Sequence, residues 1–127
     1  QLPSAPLVAV SDHYGAMLRR AKREAPKAKG YANYQDLLKD ENVEAVIIAT
    51  APHEHKAIVL DALKAGKHIY CEAPLGHTIE DARAIAKAAS ANPKLNFQPG
   101  LQFRSEPQRQ FMFPFMRSGA IGKPVHA

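Results

Sequence analysis

Residues 46–75 read VIIATAPHEHKAIVLDALKAGKHIYCEAPL, and they contain two apolar runs separated by a helical pattern. The first run, residues 45–49, is apolar throughout, as expected for a strand buried on both faces of a parallel sheet. Apolar residues then recur at the helical period over residues 52–65, with Gly66 as the helix stop, and a second run follows at residues 67–71. A strand, a helix and a strand in this order predict a crossover between two parallel strands.

The same alternation continues on both sides of this unit. Short apolar runs predict further strands at residues 7–10 and 94–98, with a short extended piece at 31–34. Helical patterns occupy residues 14–25, 34–39, 78–91 and 106–117. Strands that alternate with helices predict an α/β fold, a parallel sheet with helices on both faces. Ligands bind such sheets beyond the carboxyl ends of the strands, so the residues that follow strands are the candidates for a site.

The composition is that of a folded chain with one domain. Its 127 residues suit a single compact domain, and 46% hydrophobic with 23% charged residues is close to the average for globular proteins. The net charge is +5, but the basic residues are dispersed among acidic ones, which favours a solvated surface over a nucleic-acid site. No run approaches the roughly 18 apolar residues of a membrane span. We therefore expect neither a nucleic acid nor a membrane as a partner.

Neither cysteine nor histidine spacing predicts a cross-link or a metal site. Cys71 is the single cysteine, so no internal disulfide can form. Its place in an apolar run predicts a small buried strand residue, and a reactive thiol is the alternative. His53 and His55 are two residues apart, about 200° around a helix, whereas metal ligands on one helix need i, i+3 or i, i+4 spacing.

Polar residues follow three of the predicted strands. Asp12 follows the first, where an acidic residue accepts hydrogen bonds from the ribose of a dinucleotide; the alternative is a cap for the next helix. Residues 50–53 follow the second long strand and open a helix whose first amide groups are free to meet an anionic ligand. His53 and His55 either contact a ribose or a substrate, or lie exposed without a ligand. Glu72 follows the next strand. It is either a site residue or a structural carboxylate in a tight loop.

One expected motif is absent from the sequence. A Rossmann domain begins with a strand and a Gly-x-Gly-x-x-Gly turn, whose glycines let the backbone approach the pyrophosphate. No such motif occurs in the 127 residues. The first predicted strand ends instead in an acidic residue, Asp12. We therefore expect a Rossmann-like sheet that lacks the first strand and the Gly-rich turn.

Three ordered motifs resemble the nucleotide-binding half of the Gfo/Idh/MocA oxidoreductases. Residues 45–50 are similar to the family's strand into a Thr-x-Pro turn, residues 65–68 to its lead into Glu-Lys-Pro, and residues 119–124 to its junction with the substrate domain. The resemblance implies that residues 1–127 form a partial dinucleotide-binding domain, with 119–127 the start of the junction. It also implies that the Gly-rich turn would precede this chain and that the substrate domain would follow it.

The resemblance also implies a set of site residues and a cofactor. Asp12 aligns with the acidic residue on the adenosine ribose, which favours NAD over NADP, and Glu72 aligns with the glutamate near the nicotinamide ribose. Thr50, Pro52 and His53 align with the loop on the nicotinamide side. The candidate cofactor-binding residues are Asp12, Thr50, Ala51, Pro52, His53, His55, Glu72 and Ala73. No residue of the chain is assigned as catalytic.

Ala73 departs from the family pattern at a position that serves catalysis in the family. The family has a lysine here, beside the substrate hydroxyl, where an ammonium group donates a hydrogen bond and assists proton movement. A methyl group does neither. Either another residue takes that role, or the relatives of this chain catalyse different chemistry, or the alanine is an engineered change.

The expected function follows from the resemblance. The chain would be the nucleotide-binding portion of an NAD(P)-dependent oxidoreductase acting on a sugar, polyol or related hydroxylated substrate, and this portion alone would be inactive. We expect the parent protein to be a homo-oligomer and cytoplasmic, with an exported form left open. Two alternatives stay open: a non-catalytic binding or oligomerisation module, and part of an NAD-dependent glycosidase-like relative.

Overall fold

Strands and helices alternate along the chain in the order that the sequence predicts. The computed structural model describes residues 5–120 and 122. The strands are β1 (Ala9–Ser11), β2 (Lys29–Tyr31), β3 (Ala45–Ile48), β4 (His68–Glu72) and β5 (Phe97–Gly100). The helices are α1 (Gly15–Glu24), α2 (Tyr34–Leu38), α3 (Pro52–Lys64), α4 (Ile79–Ser90), α5 (Gln102–Ser105) and α6 (Pro107–Ser118). The short helix α5 is the one element that the sequence did not predict.

All strand pairs are parallel, and they form two separate sheets. One sheet has the order β1-β2 and the other the order β3-β4-β5. In the larger sheet Ile48 lies opposite Cys71, and Glu72 lies opposite Gly100. Helices cover both sides of these sheets, which confirms the predicted α/β architecture.

The division between the sheets falls where the Rossmann fold has its first strand. In the Rossmann order 3-2-1-4-5-6 the first strand lies between the second and the fourth. Here β1 and β2 correspond to the second and third strands, and β3, β4 and β5 to the last three. Within the described residues no strand joins β1 to β3, so each of these two strands has an unpaired edge.

The hydrophobic core lies between the larger sheet and helices α3 and α4. Its fully buried members include Val59 on α3, Cys71 on β4 and Ile85 on α4. Each of the buried residues on α3 recurs at a spacing of three or four, so one stripe of that helix faces the strands. Helix α3 is therefore fixed on the sheet along its whole length, and its first turn is held at the carboxyl ends of β3 and β4.

One burial expectation for β3 is wrong in this structure. The run at residues 45–49 predicts a strand buried on both faces, but the Ile47 side chain is 76% exposed while Ile48 is 3% exposed. Side chains alternate between the two faces of a strand, so one face of β3 packs on the core and the other is open. The open face belongs to the strand that borders the gap between the sheets.

The ends of α3 and α4 are set by local backbone chemistry. Gly66 adopts φ +72, and the hydrogen bonds Lys67 N to Ala62 O and Gly66 N to Leu63 O, both 3.0 Å, close the end of α3. The Thr78 hydroxyl accepts a hydrogen bond of 3.1 Å from the Asp81 amide, which starts α4. The glycine stop predicted for α3 is therefore confirmed.

The predicted junction at residues 119–127 lies mostly outside the described residues. Gly119 ends α6 in the left-handed conformation, with φ +77. Its carbonyl accepts a hydrogen bond of 2.9 Å from the Gly122 amide. The junction to a second domain stays a prediction.

Candidate functional site

The candidate site is the edge of the larger sheet where the strands β3, β4 and β5 end. Carboxyl ends of parallel strands lie at one edge, so the segments that follow them are neighbours. Two of these segments contain candidate residues from the sequence: turn 50–53 after β3, and loop 72–75 at the end of β4. We call this edge the rim.

Turn 50–53 leads directly into α3. Ala51 is the N-cap residue and provides no side-chain cap, and Pro52 occupies the first helical turn. Its ring fixes φ near the helical value and has no amide hydrogen to satisfy. The Ala51 carbonyl accepts a hydrogen bond of 2.9 Å from the Glu54 amide. The amide end of α3 therefore opens at the rim, where a helix N-terminus favours an anionic group.

The two histidines of α3 have different environments. His53 is exposed on the first turn of α3. This agrees with the sequence alternative in which the histidine lies exposed. His55 is 1% exposed, so the expectation that it contacts a ligand or lies exposed is wrong. It belongs to the buried stripe of α3, one turn before Ile58 and Val59. This helical spacing indicates burial of His55 in the sequence itself. The prediction gave more weight to the ligand chemistry of imidazole than to the spacing.

The His55 ring joins the two rim segments. Its Nε2 atom lies 3.0 Å from the Thr50 carbonyl oxygen, and its Nδ1 atom lies 3.0 Å from the Pro74 carbonyl oxygen. The contacts connect turn 50–53 to loop 72–75. The peptide bond between Ala73 and Pro74 is cis.

Glu72 lies against a glycine of the neighbouring strand. It is half-buried at the end of β4 and lies opposite Gly100. A Cβ atom added at Gly100 would lie 2.7 Å from Glu72 Oε2, 2.9 Å from Glu72 Cα and 3.0 Å from the Tyr70 hydroxyl. Gly100 therefore provides the space in which the Glu72 carboxylate lies. The sequence prediction ended this strand at Gln98, and it missed the role of Gly100.

Cys71 and Ala73 flank Glu72 and have opposite exposures. Cys71 is fully buried in β4. Burial, and to a smaller extent the neighbouring Glu72 carboxylate, raise the pKa of its thiol to about 11. The predicted small buried residue is thereby confirmed over a reactive thiol, because the thiolate is the nucleophilic form. Ala73 is exposed at the rim.

Asp12 follows β1, in the smaller sheet. Its Oδ1 atom accepts a hydrogen bond of 2.8 Å from the Tyr14 amide, and its own amide donates to the Tyr31 carbonyl at 3.2 Å. The side chain thus forms a turn ahead of α1, but the predicted helix-cap role is wrong, because the N-cap residue is Tyr14 and it has no side-chain cap hydrogen bond. Its other oxygen, Oδ2, has no hydrogen-bond partner among the described residues. The ribose contact of Asp12 stays a prediction.

A family model matches most of the chain. It covers residues 1–100 and describes an oxidoreductase family with an NAD-binding Rossmann fold, named GFO_IDH_MocA. The chain belongs to the Gfo/Idh/MocA family. The matched part contains all five strands, helices α1 to α4 and every candidate site residue.

Relatives of known activity and structure agree with this assignment. The inositol 2-dehydrogenase of Rubrobacter xylanophilus is 35% identical over 127 residues, which cover 98% of this chain and 36% of that protein. The crystal structure of myo-inositol 2-dehydrogenase from Lactobacillus plantarum matches with a TM-score of 0.89 and 28% identity, covering 97% of this chain and 36% of that one. A scyllo-inositol dehydrogenase from Lactobacillus casei, solved with bound NAD(H) and scyllo-inositol, matches with a TM-score of 0.83, 27% identity and coverage of 91% and 34%. This chain spans about a third of the length of these relatives.

Two further features of the described residues concern other kinds of site. In residues 5–120 and 122, no group of three or more histidine, cysteine, aspartate or glutamate side chains is arranged to hold a metal ion. None of the helices in this part of the chain is both long and apolar enough to cross a membrane.

Proposed function

We propose that this chain forms one wall of the NAD site in a dehydrogenase that oxidises a polyol or sugar. The observation that carries the proposal is the rim, where the amide end of α3 and the Glu72 carboxylate lie at one sheet edge in a chain of this family. In the proposed complex, turn 50–53 contacts the nicotinamide side of the cofactor, and Glu72 accepts a hydrogen bond from the nicotinamide ribose. The substrate class is suggested by the inositol dehydrogenases among the relatives.

The cofactor is NAD in this proposal, because of Asp12. Its Oδ1 atom is engaged by the Tyr14 amide, so Oδ2 is the atom that would accept a hydrogen bond from an adenosine ribose hydroxyl. The same carboxylate would repel the 2′-phosphate of NADP. Asp12 lies at the end of β1 and is partly exposed, which supports both statements.

We further propose that the 127 residues alone do not catalyse the reaction. The sequence has no Gly-rich turn to hold a pyrophosphate, and the sheet is divided where the strand before that turn would lie. A strand with a Gly-rich turn, supplied from outside these residues, would pair with the free edges of β1 and β3 and complete the site.

Titration with NADH tests the proposal. The parent protein and the 127-residue chain are each titrated while NADH fluorescence is followed. We expect saturable micromolar binding by the parent protein and binding at least a hundredfold weaker by the chain. Parent protein that binds no NADH at millimolar concentration would refute the NAD site, and equal affinities would refute the role given to the missing strand.

Ala73 allows a second test, of the chemistry at the rim. A lysine at this exposed position would bring an ammonium group to the substrate side, and general acid–base catalysis contributes about 10²- to 10⁴-fold. We expect Ala73→Lys in the parent protein to change polyol turnover, and the control Ala73→Met, which adds length without charge, to leave it unchanged. Unchanged turnover of every tested substrate in the lysine variant would show that this position does not contribute to catalysis.

A second candidate function is assembly. The unpaired edges of β1 and β3 and the exposed Ile47 are features that pair readily with another chain. Helix α6 adds exposed apolar side chains, which are Phe111, Met112, Phe113, Phe115 and Met116. Mass measurement in solution separates the candidates, since a monomer that binds NADH would exclude a purely structural module.

A further inference from the structure

His55 is the one polar side chain in the buried interior of the described residues. All other buried side chains in this part of the chain are hydrophobic, and no buried side-chain nitrogen or oxygen there is left without a hydrogen bond. A polar group in such surroundings is costly unless its hydrogen bonds are made. The ring of His55 therefore has a defined orientation, fixed by its two carbonyl partners.

Both partners of the ring are acceptors. The Thr50 and Pro74 carbonyl oxygens can only receive hydrogen bonds, and each lies 3.0 Å from a ring nitrogen. A neutral imidazole has one N–H donor, whereas an imidazolium has two. The ring lies between the two carbonyl oxygens and contacts both of them.

The two carbonyls lie just beyond the last ladder hydrogen bonds of their strands. Thr50 is two residues after the end of β3, and Pro74 is two residues after the end of β4. The strand pairing ends with Ile48 opposite Cys71. Beyond that pair, strand pairing no longer connects the two segments. The contacts of the His55 ring connect them instead.

We infer that His55 is a positioning residue for the cofactor rim. By holding the Thr50 and Pro74 carbonyls on one ring, it fixes the distance between turn 50–53 and loop 72–75, so that both face the same ligand. The inference gives His55 a positioning role at the proposed NAD site in place of the predicted ligand contact, and it rests on that function for its effect on NADH. The tie between the two segments itself needs no ligand.

Two conservative variants test the two contacts of the His55 ring separately. In His55→Asn the amide nitrogen replaces Nδ1 and can still donate to Pro74, whereas in His55→Gln it replaces Nε2 and can still donate to Thr50. Val59→Ala is the control, because Val59 is fully buried on the same helix and its side chain has no hydrogen-bond donor for either carbonyl. Each variant is compared with the wild-type 127-residue chain by hydrogen–deuterium exchange under native conditions.

The expected exchange patterns are opposite for the two variants. His55→Asn accelerates exchange of the Thr50 and Ala51 amides by about tenfold or more, the factor that one lost buried hydrogen bond gives, and His55→Gln does the same for Leu75 and Gly76. Val59→Ala accelerates exchange along α3 without selecting either segment. A pattern in the histidine variants that matches Val59→Ala would overturn the positioning role and leave His55 as an ordinary core residue.

NADH affinity of the parent protein gives the functional readout. We expect both histidine variants to raise the Kd for NADH by about tenfold, which corresponds to about 1.4 kcal/mol, and Val59→Ala to leave it within twofold. If the wild-type parent protein binds no NADH, the proposed function fails while the exchange patterns still decide the tie. If the exchange patterns appear and the affinity is unchanged, the segments are tied but the positioning of the rim is refuted.

Discussion

Replacement of Gly100 by alanine tests how the rim carboxylate is accommodated. The added methyl carbon would lie 2.7 Å from Glu72 Oε2 and 2.9 Å from Glu72 Cα. The carboxylate is the end of a flexible side chain and can rotate away. The Cα atom belongs to the backbone of β4, which is paired with β5 on one side and β3 on the other. The substitution therefore forces two paired strands apart.

The size of the effect follows from these distances. Carbon atoms in contact are separated by about 3.5 Å or more, so the backbone separation would have to grow by roughly 0.6 Å. Overpacking of this kind costs about 1–3 kcal/mol. For a domain of this size each kcal/mol lowers Tm by about 4 °C. We also expect the displaced Glu72 carboxylate to weaken NADH binding by the parent protein.

Gly15→Ala is the matched control for the same chemical change. At Gly15 the nearest atom to an added Cβ is the flexible end of Arg19, at 3.4 Å, and the residue begins α1. Alanine there should be neutral or stabilising by up to about 1 kcal/mol. Urea denaturation of both variants measures the difference. If Gly100→Ala is as stable as Gly15→Ala, the close approach of Glu72 to this glycine is not real.

Two further predictions concern titrating groups that are not candidate site residues. The Tyr31 hydroxyl, 2.7 Å away, and the amide groups of Asn42 hold the pKa of Asp40 at about 2, below its usual value of 3.8. Because the folded value is the lower one, this stabilisation is present above about pH 4 and is lost as pH falls through 2. The stability difference between wild type and Asp40→Asn, measured by urea denaturation, should therefore shrink over that range; a constant difference would contradict it. Cys71, buried and with its pKa raised to about 11, should resist thiol reagents at pH 7 in the native chain and react on unfolding, whereas rapid stoichiometric labelling of the native chain would refute its burial.

The order of strands and helices was predictable because local patterns determine it. The apolar run of β3, the helical spacing of α3 and the Gly66 stop all act within a few residues, and each was confirmed. Burial of Ile47 was predicted wrongly because burial depends on what covers the second face of the strand. That information lies in the pairing of β3 with its neighbours, which periodicity alone does not contain.

The sequence predicted which segments of the site follow which strands. Turn 50–53 and Glu72 lie at the rim as strand ends require. The connections between the segments were not predictable, because they join residues far apart in sequence. His55 touches Pro74, and Gly100 makes room for Glu72, only after the strands have paired. A single sequence gives no signal for such contacts beyond the helical spacing that indicates burial of His55.

The central claim is that the rim of this chain holds the nicotinamide half of NAD. A crystal structure of the parent protein with NAD(H) bound tests it most directly. The account predicts that the nicotinamide ribose lies within hydrogen-bond distance of Glu72, that turn 50–53 contacts the nicotinamide side, and that the adenosine ribose meets Asp12 Oδ2. A cofactor bound elsewhere, with none of these contacts, would contradict it.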